Sequence, residues 1–224
     1  MTGLDTPTTQ TQAAAEALRE MIFEGSLAPG SDHLESELAA LLGMSRTPVR
    51  EAALILQVQG LVTVRPRRGL RVLPVAPEDM REVYAVLTEL EALAAEQAAQ
   101  QAYSTDALAT LRAAIDAMDA ALVAPDLAAW AQADAAFHRE LVRLGGNQRV
   151  QQIVDMMNDQ VRRAKMVTLQ LRTLPTASNE DHRAVLEAIA KGDAKTARAC
   201  HRQHRERAGE ELLGLLQRHK LAQL

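Results

Sequence analysis

Cysteine occurs once in this 224-residue chain, at Cys200, so no internal disulfide framework staples it. A lone thiol fits a reducing compartment, and a cytoplasmic location is expected. Aromatic residues supply only 2% of the chain: one tryptophan, two tyrosines and two phenylalanines. A core this poor in rings must be built from Ala, Leu, Val, Ile and Met, which favours packed helices over sheet. No apolar run reaches the roughly eighteen residues of a membrane span, so no membrane partner is expected. Met1–Gln12 is polar and threonine-rich, without the basic and apolar regions of a signal peptide, and reads as a disordered tail. The formal charge is −4, so any contact with nucleic acid needs a local concentration of basic residues.

Such a concentration is present. Ser45-Arg46-Thr47-Pro48-Val49-Arg50-Glu51 opens a helix, with Ser45 or Thr47 as cap and Pro48 in the first turn. The helix runs to Gly60, which stops it. Arg46 and Arg50 are four residues apart and share one face near its N-terminus. Two guanidiniums placed there can pair with guanine O6 and N7 or clamp a phosphate. Taken alone, the same pattern also fits a solvated surface helix.

The neighbours add to it. Leu34, Leu38, Leu41 and Leu42 recur at helical spacing, and Gly43-Met44-Ser45 is a very short turn, which together give a helix-turn-helix. Ala14 to Phe23 is a further amphipathic helix, with Leu18, Met21 and Ile22 facing inward. Downstream, Leu61–Val64 and Leu70–Leu73 read as strands around the turn Arg65-Pro66-Arg67-Arg68-Gly69, a hairpin wing with a basic tip. Between residues 45 and 71 six arginines (46, 50, 65, 67, 68, 71) face one acid, Glu51. That is the electrostatic footprint of a phosphate-contacting surface.

The prolines of Val72-Leu73-Pro74-Val75-Ala76-Pro77 mark a linker. No strand pattern follows it. Six helical segments are predicted, at 77–102, 104–123, 126–144, 147–171, 176–191 and 193–218, with Ser104, Asp126, Asn147, Ser178 and Asp193 as caps. Short connections make them an antiparallel bundle. The predicted division is a tail at 1–11, a winged helix-turn-helix at 12–73, a linker at 74–77 and an all-α bundle at 78–218. The fold class is mainly α.

Within the bundle, Asp134 and His138 are four residues apart on one helix face. His182 lies in the fifth bundle helix, and His204 in the last, with His201 one turn before it. Three helices can point these groups into one space, where imidazole and carboxylate suit zinc, nickel, manganese or iron. Spacing equally admits an exposed Asp134–His138 pair and surface histidines. Met156, Met157 and Met166 read as core. Trp130 is a candidate for lining a cavity.

The stretch from Leu34 through Glu37-Leu38-Ala39, Leu42-Gly43-Met44-Ser45-Arg46-Thr47-Pro48-Val49-Arg50-Glu51-Ala52, Gln59-Gly60-Leu61-Val62 and Arg65-Pro66-Arg67-Arg68-Gly69 resembles the GntR family of bacterial transcription regulators. The resemblance spans about residues 12–73 and implies a dimeric winged helix that binds double-stranded operator DNA. It implies operator contacts from Arg46 and Arg50, a phosphate contact from Thr47, and a glycine at Gly69 that lets the wing approach the minor groove; Ser45 at the helix start and Arg67 and Arg68 on the basic wing complete the candidate DNA-binding set. Many members carry arginine where this chain has Ser36.

Asp134-x-x-x-His138, Asp181-His182-Arg183-Ala184-Val185-Leu186-Glu187-Ala188-Ile189, Gly192-Asp193-Ala194 and His204 resemble the FCD ligand-binding domain of the FadR-like branch. That resemblance implies a divalent metal, zinc first, held by Asp134, His138, His182 and His204. It also implies a small-molecule effector, an organic acid or related metabolite. Relatives often place an arginine in the first bundle helix where this chain has Leu87, which leaves Arg162, Arg163 or Arg172 to supply charge.

The combined reading is a homodimeric, effector-controlled transcription regulator, a repressor or an activator, and not an enzyme. Two rivals follow from the same residues. One is a metal-dependent hydrolytic or lyase-type enzyme fused to a DNA reader, which turnover by zinc-loaded protein would reveal. The other is an architectural DNA binder without effector, which a ligand-induced melting shift would remove.

Overall fold

The computed structural model describes residues 9–123 and 125–219. The chain divides into two compact units at Val75 and Ala76, each with its own apolar core.

In the first unit α1 (Gln10–Phe23) begins behind Thr9, whose hydroxyl accepts from the Gln12 backbone N–H while the Gln12 side chain returns the bond. This capping box orders residues that the composition assigned to a tail. Residues 1–8 of that expected tail lie outside the described residues. A short strand β1 (Asp32–His33) precedes α2 (Glu35–Leu42), which ends at Gly43 with φ 63°. The second helix of the pair, α3 (Arg46–Val58), starts after Ser45 in extended conformation, although its hydroxyl makes no capping bond. Leu18, Leu38, Val49, Ala52, Leu56 and Leu61 pack between these helices, with Met21 partly buried beside them. Full burial of a Leu or Val side chain is worth about 1.5–3 kcal/mol.

The wing has three strands, not two. β2 (Val62–Arg65) pairs antiparallel with β3 (Gly69–Val72), and β3 also pairs with β1 through Asp32↔Arg71 and His33↔Leu70. A two-residue strand carries no periodicity, so the sequence pattern does not announce it.

The second unit is all helical: α4 (Pro77–Gln100), α5 (Ala109–Val123), α6 (Leu127–Gly145), α7 (Gln148–Thr168), a 3₁₀ turn (Leu169–Leu171), α8 (Thr176–Ala190) and α9 (Ala194–Arg218). Pro77 takes the first helical position of α4, followed by Glu78 and Asp79. Asp126, Asn147 and Asp193 cap as their sequence positions predict. Two expectations fail. Ser104 accepts from the Ala107 N–H, yet that turn does not propagate and α5 starts five residues later. Ser178 lies inside α8, which starts behind Pro175.

The core of this unit gathers Leu108, Leu111, Ile115, Met118, Trp130, Phe137, Leu141, Val185 and Ile189. Small residues bring helices together. A Cβ on Gly145 would lie 2.8 Å from the Ala94 Cα, so only glycine lets α6 approach α4 this closely. The buried stripes of α4 and α6 also carry Glu91, Asp134 and His138.

Candidate functional site

The polar centre of the second unit starts from α6. Its buried stripe includes Trp130, Ala133, Phe137 and Leu141, and on that stripe also lie Asp134 and His138. Asp134 Oδ1 is 3.5 Å from His138 Nε2 and 3.7 Å from His182 Nε2. His204 on α9 completes the group, and one ligand atom from each of the four residues lies within 4.8 Å of the others. All four side chains are buried. The His182 and His204 rings are 4.4 Å apart, and Phe137 lies 4.2 Å from His182 on the apolar side.

A surrounding layer orients these groups. Glu91 on α4 places Oε2 2.8 Å from His138 Nδ1 and 2.9 Å from His201 Nε2. Asp181 Oδ2 is 3.2 Å from His204 Nδ1 and also pairs with Arg207. In both histidines a carboxylate takes the Nδ1 side, which leaves Nε2 for the centre. Lys165 on α7 donates to Asp134 Oδ2 at 2.5 Å, so the other carboxylate oxygen faces the histidines.

The charges follow from these contacts. Burial acts to raise Asp134, but Lys165 and then His138 outweigh it and hold the carboxyl well below its usual range. Glu91 is likewise held well below by Arg205 and His138 against the effect of burial. Burial acts to lower His138, yet Glu91 and Asp134 raise it above 6.5. Burial, with His204 next, pushes His182 well below 6.5. Burial lowers His201 to about 3 despite Glu91. His204 also falls to about 3, through burial and the neighbouring His138.

A divalent cation fits this donor set. Three imidazoles and one carboxylate are suited to zinc-like ions, and two of the imidazoles are already held through their second nitrogen. His138 Nε2 and both ring nitrogens of His182 are buried without a hydrogen-bond partner. A buried, unsatisfied nitrogen is costly, and a coordinated ion removes that cost at a lone pair.

The sequence alone does not single out Glu91, Lys165 or Arg205, and Asp181 enters it only as the residue that opens the motif before His182. Glu91 had a signal: a lone acid on the apolar stripe formed by Leu87, Ala92, Ala94 and Ala95 of α4. Lys165 had none, since it follows Arg162 and Arg163 in a charged stretch. The expected effector-facing residues scatter. Trp130 is packed in the core, with Nε1 donating to Asn179 at 2.9 Å, because a buried indole N–H needs an acceptor. Leu87 is fully buried and apolar. Arg162 is exposed, while Arg163 is buried and its guanidinium pKa is lowered by burial. Arg172 is 3.7 Å from Glu211, and its Nε donates to Thr168 Oγ1 at 3.3 Å.

In the first unit Ser45, Arg46, Thr47 and Arg50 are exposed at the start of α3, and Arg67 and Arg68 at the tip of the wing. Arg46 and Arg50 line an open groove of about 520 Å³ together with Ser36, Gln57, Arg65 and Arg67. Arg46 stands 3.7 Å from Glu35. Arg65 and Arg71 turn towards Asp32, each at 3.4 Å, so β1 partly neutralises two of the six arginines. Gly69 has φ +78°, and a Cβ there would lie 2.0 Å from the His33 carbonyl oxygen. Close packing of β3 on β1 therefore requires glycine, independently of any groove contact.

The chain matches the model of bacterial regulatory proteins of the gntR family over residues 10–72 and the FCD domain over residues 82–207. It is 42% identical over 132 residues to an uncharacterized HTH-type transcriptional regulator in the TAR-I ttuE-ttuC' intergenic region of Agrobacterium vitis, covering 58% of this chain and 77% of the relative. An uncharacterized HTH-type regulator in an unstable DNA locus of Streptomyces ambofaciens is 33% identical over 200 residues, covering 84% and 78%. Among solved structures, E. coli McbR/YncC superposes with TM-score 0.76 at 21% identity, covering 91% of this chain and 97% of that one, a likeness of fold. Among the described residues no helix is long and apolar enough to cross a membrane.

Proposed function

The chain belongs to the gntR family of bacterial regulatory proteins and carries an FCD domain, and from that premise we propose that it is a cytoplasmic, homodimeric repressor whose effector bundle holds a divalent metal. As a member of this family it is an effector-responsive, DNA-binding transcription regulator. The observation that carries the metal reading is the buried convergence of Asp134, His138, His182 and His204.

Asp134 supplies one carboxylate oxygen, with Lys165 retaining the other. His138 and His204 offer Nε2, because Glu91 and Asp181 occupy their Nδ1 sides. A divalent ion held by these four residues, zinc in the first instance, would be structural or would supply a Lewis-acidic centre for an oxygen of the effector. The effector is an organic acid or related metabolite, and no catalytic step is assigned.

Operator DNA is read by the N-terminal turn of α3. Arg46 and Arg50 reach base edges, Ser45 and Thr47 reach phosphate, and Arg67 and Arg68 engage the backbone from the wing. Gly69 keeps the wing seated on β1. An effector that binds preferentially to the DNA-free form weakens operator affinity by the same factor by which DNA weakens effector affinity.

Selection of bound fragments from random DNA, followed by footprinting, tests the DNA side. An inverted repeat protected by a dimer is expected. Protection of an asymmetric site by one protomer would contradict the homodimer. Turnover of an organic acid by the zinc-loaded chain would favour an enzyme.

A further inference from the structure

Coordination satisfies nitrogen lone pairs, but the polar centre also contains donors that no cation can satisfy. Arg205 on α9 is 2% exposed. Its Nε and Nη2 are buried without a hydrogen-bond partner. Its approach to Glu91 Oε2, at 3.7 Å, is longer than a hydrogen bond, and that oxygen already faces His138 and His201. Nε and Nη2 form one edge of the guanidinium, where two N–H bonds point in parallel. That edge matches the two oxygens of a carboxylate.

Tyr84 on α4 supports the guanidinium. The Arg205 Cζ lies 4.7 Å from the centroid of its ring. Gly209, one turn further along α9, admits the ring, since a Cβ there would meet Tyr84 Cδ1 at 2.8 Å. The Tyr84 hydroxyl is itself buried without a partner. The cation–π contact holds the guanidinium and leaves Nε and Nη2 without a hydrogen-bond acceptor.

We propose that Arg205, with the Tyr84 hydroxyl, is the carboxylate anchor of the effector site. It fixes the acid group of a small organic acid on the side of the polar centre where Glu91 meets His138. The assignment rests on the reading of this bundle as the effector domain. It names a residue on the last helix as the origin of specificity for an anion.

The test uses the full-length chain, acetate as the simplest carboxylate, and acetamide as its neutral counterpart. Cobalt(II) serves as a visible probe at saturating concentration. In the wild type, acetate shifts the cobalt d–d bands saturably and acetamide does not. Arg205→Met requires at least tenfold more acetate for the same shift, Arg205→Lys falls between them, and Tyr84→Phe weakens acetate a few-fold. Equal acetate dependence in the wild type and Arg205→Met overturns the anchor, as does phosphate outcompeting acetate. Failure of the wild type to take up cobalt overturns the metal reading alone. In that case melting in chelator decides the anchor: acetate raises the wild-type melting temperature and leaves Arg205→Met unchanged, and equal shifts overturn it.

Discussion

Glu91 Oε2 lies 2.8 Å from His138 Nδ1, inside a bundle where both side chains are buried. A carboxylate there accepts a hydrogen bond from Nδ1–H and turns Nε2 towards Asp134, 3.5 Å away. One residue on α4 thus sets the tautomer of a candidate ligand on α6. The same oxygen lies 2.9 Å from His201 Nε2, and the His201 ring is 5.3 Å from that of His138.

Removing that charge is expected to weaken metal binding without removing a ligand. Glu91→Gln should lower zinc affinity by about 10–100-fold, the usual effect of losing an outer partner. His201→Ala should cost less, because His201 is not among the four converging ligand atoms and belongs to the neighbouring group with Glu91 and His138. Zinc titration in competition with a chromophoric chelator measures both. An unchanged Glu91→Gln affinity would remove Glu91 from the site.

Acid should destabilise the metal-free fold from a higher pH than carboxylate titration alone would give. His182, His201 and His204 have folded pKa values below 6.5 because they are buried. Their contribution is fully present above 6.5 and is lost as pH falls below it, by about 1.4 kcal/mol per group for each unit. His138 is raised, so its contribution is present below 6.5 and fades as pH rises through its folded pKa. Three groups oppose one. Melting of chelator-treated protein should therefore fall steadily from pH 6.5 to pH 5, and a flat profile would contradict neutral burial of the three histidines.

On the DNA face, Arg46→Ala and Arg50→Ala should each cost about 1–3 kcal/mol of operator binding where the residue reads a base. Arg67→Ala or Arg68→Ala should instead reduce the slope of log affinity against log salt by about 1. Fluorescence anisotropy over a salt series separates the two effects. Arg65→Ala should change the slope less, because Asp32 stands 3.4 Å from its guanidinium.

Gly69→Ala is expected to unseat the wing. The added Cβ meets the His33 carbonyl oxygen at 2.0 Å, and φ is +78°. The left-handed conformation alone costs about 1–3 kcal/mol for a non-glycine residue. Thermal melting should report the loss even without DNA. An alanine variant as stable as wild type would leave DNA contact as the reason for glycine.

Much of the architecture is legible in the sequence because each element carries local marks. Asp126, Asn147 and Asp193 are capping residues in front of apolar stripes, and Gly43 and Gly60 stop α2 and α3. The spacing of Asp134 and His138 shows that they share a face, and resemblance adds His182 and His204. What stays hidden is tertiary. Lys165 is 31 residues from Asp134, and Arg205 is more than a hundred from Glu91, so no local pattern connects them. Arg162 and Arg163 are adjacent in sequence, yet one is exposed and the other buried, which only packing decides. The strand β1 is too short to show alternation and is defined by its pairing with β3.

The central claim is that four side chains from α6, α8 and α9 hold one divalent ion in the effector bundle. Native mass spectrometry of full-length protein, stripped with chelator and reloaded with zinc, tests it most directly. The account predicts one zinc per chain in the wild type and in Arg162→Ala, and none retained in His182→Ala or His204→Ala after the same exchange. Zinc absent from the reloaded wild type, or retained undiminished by both histidine variants, would contradict it.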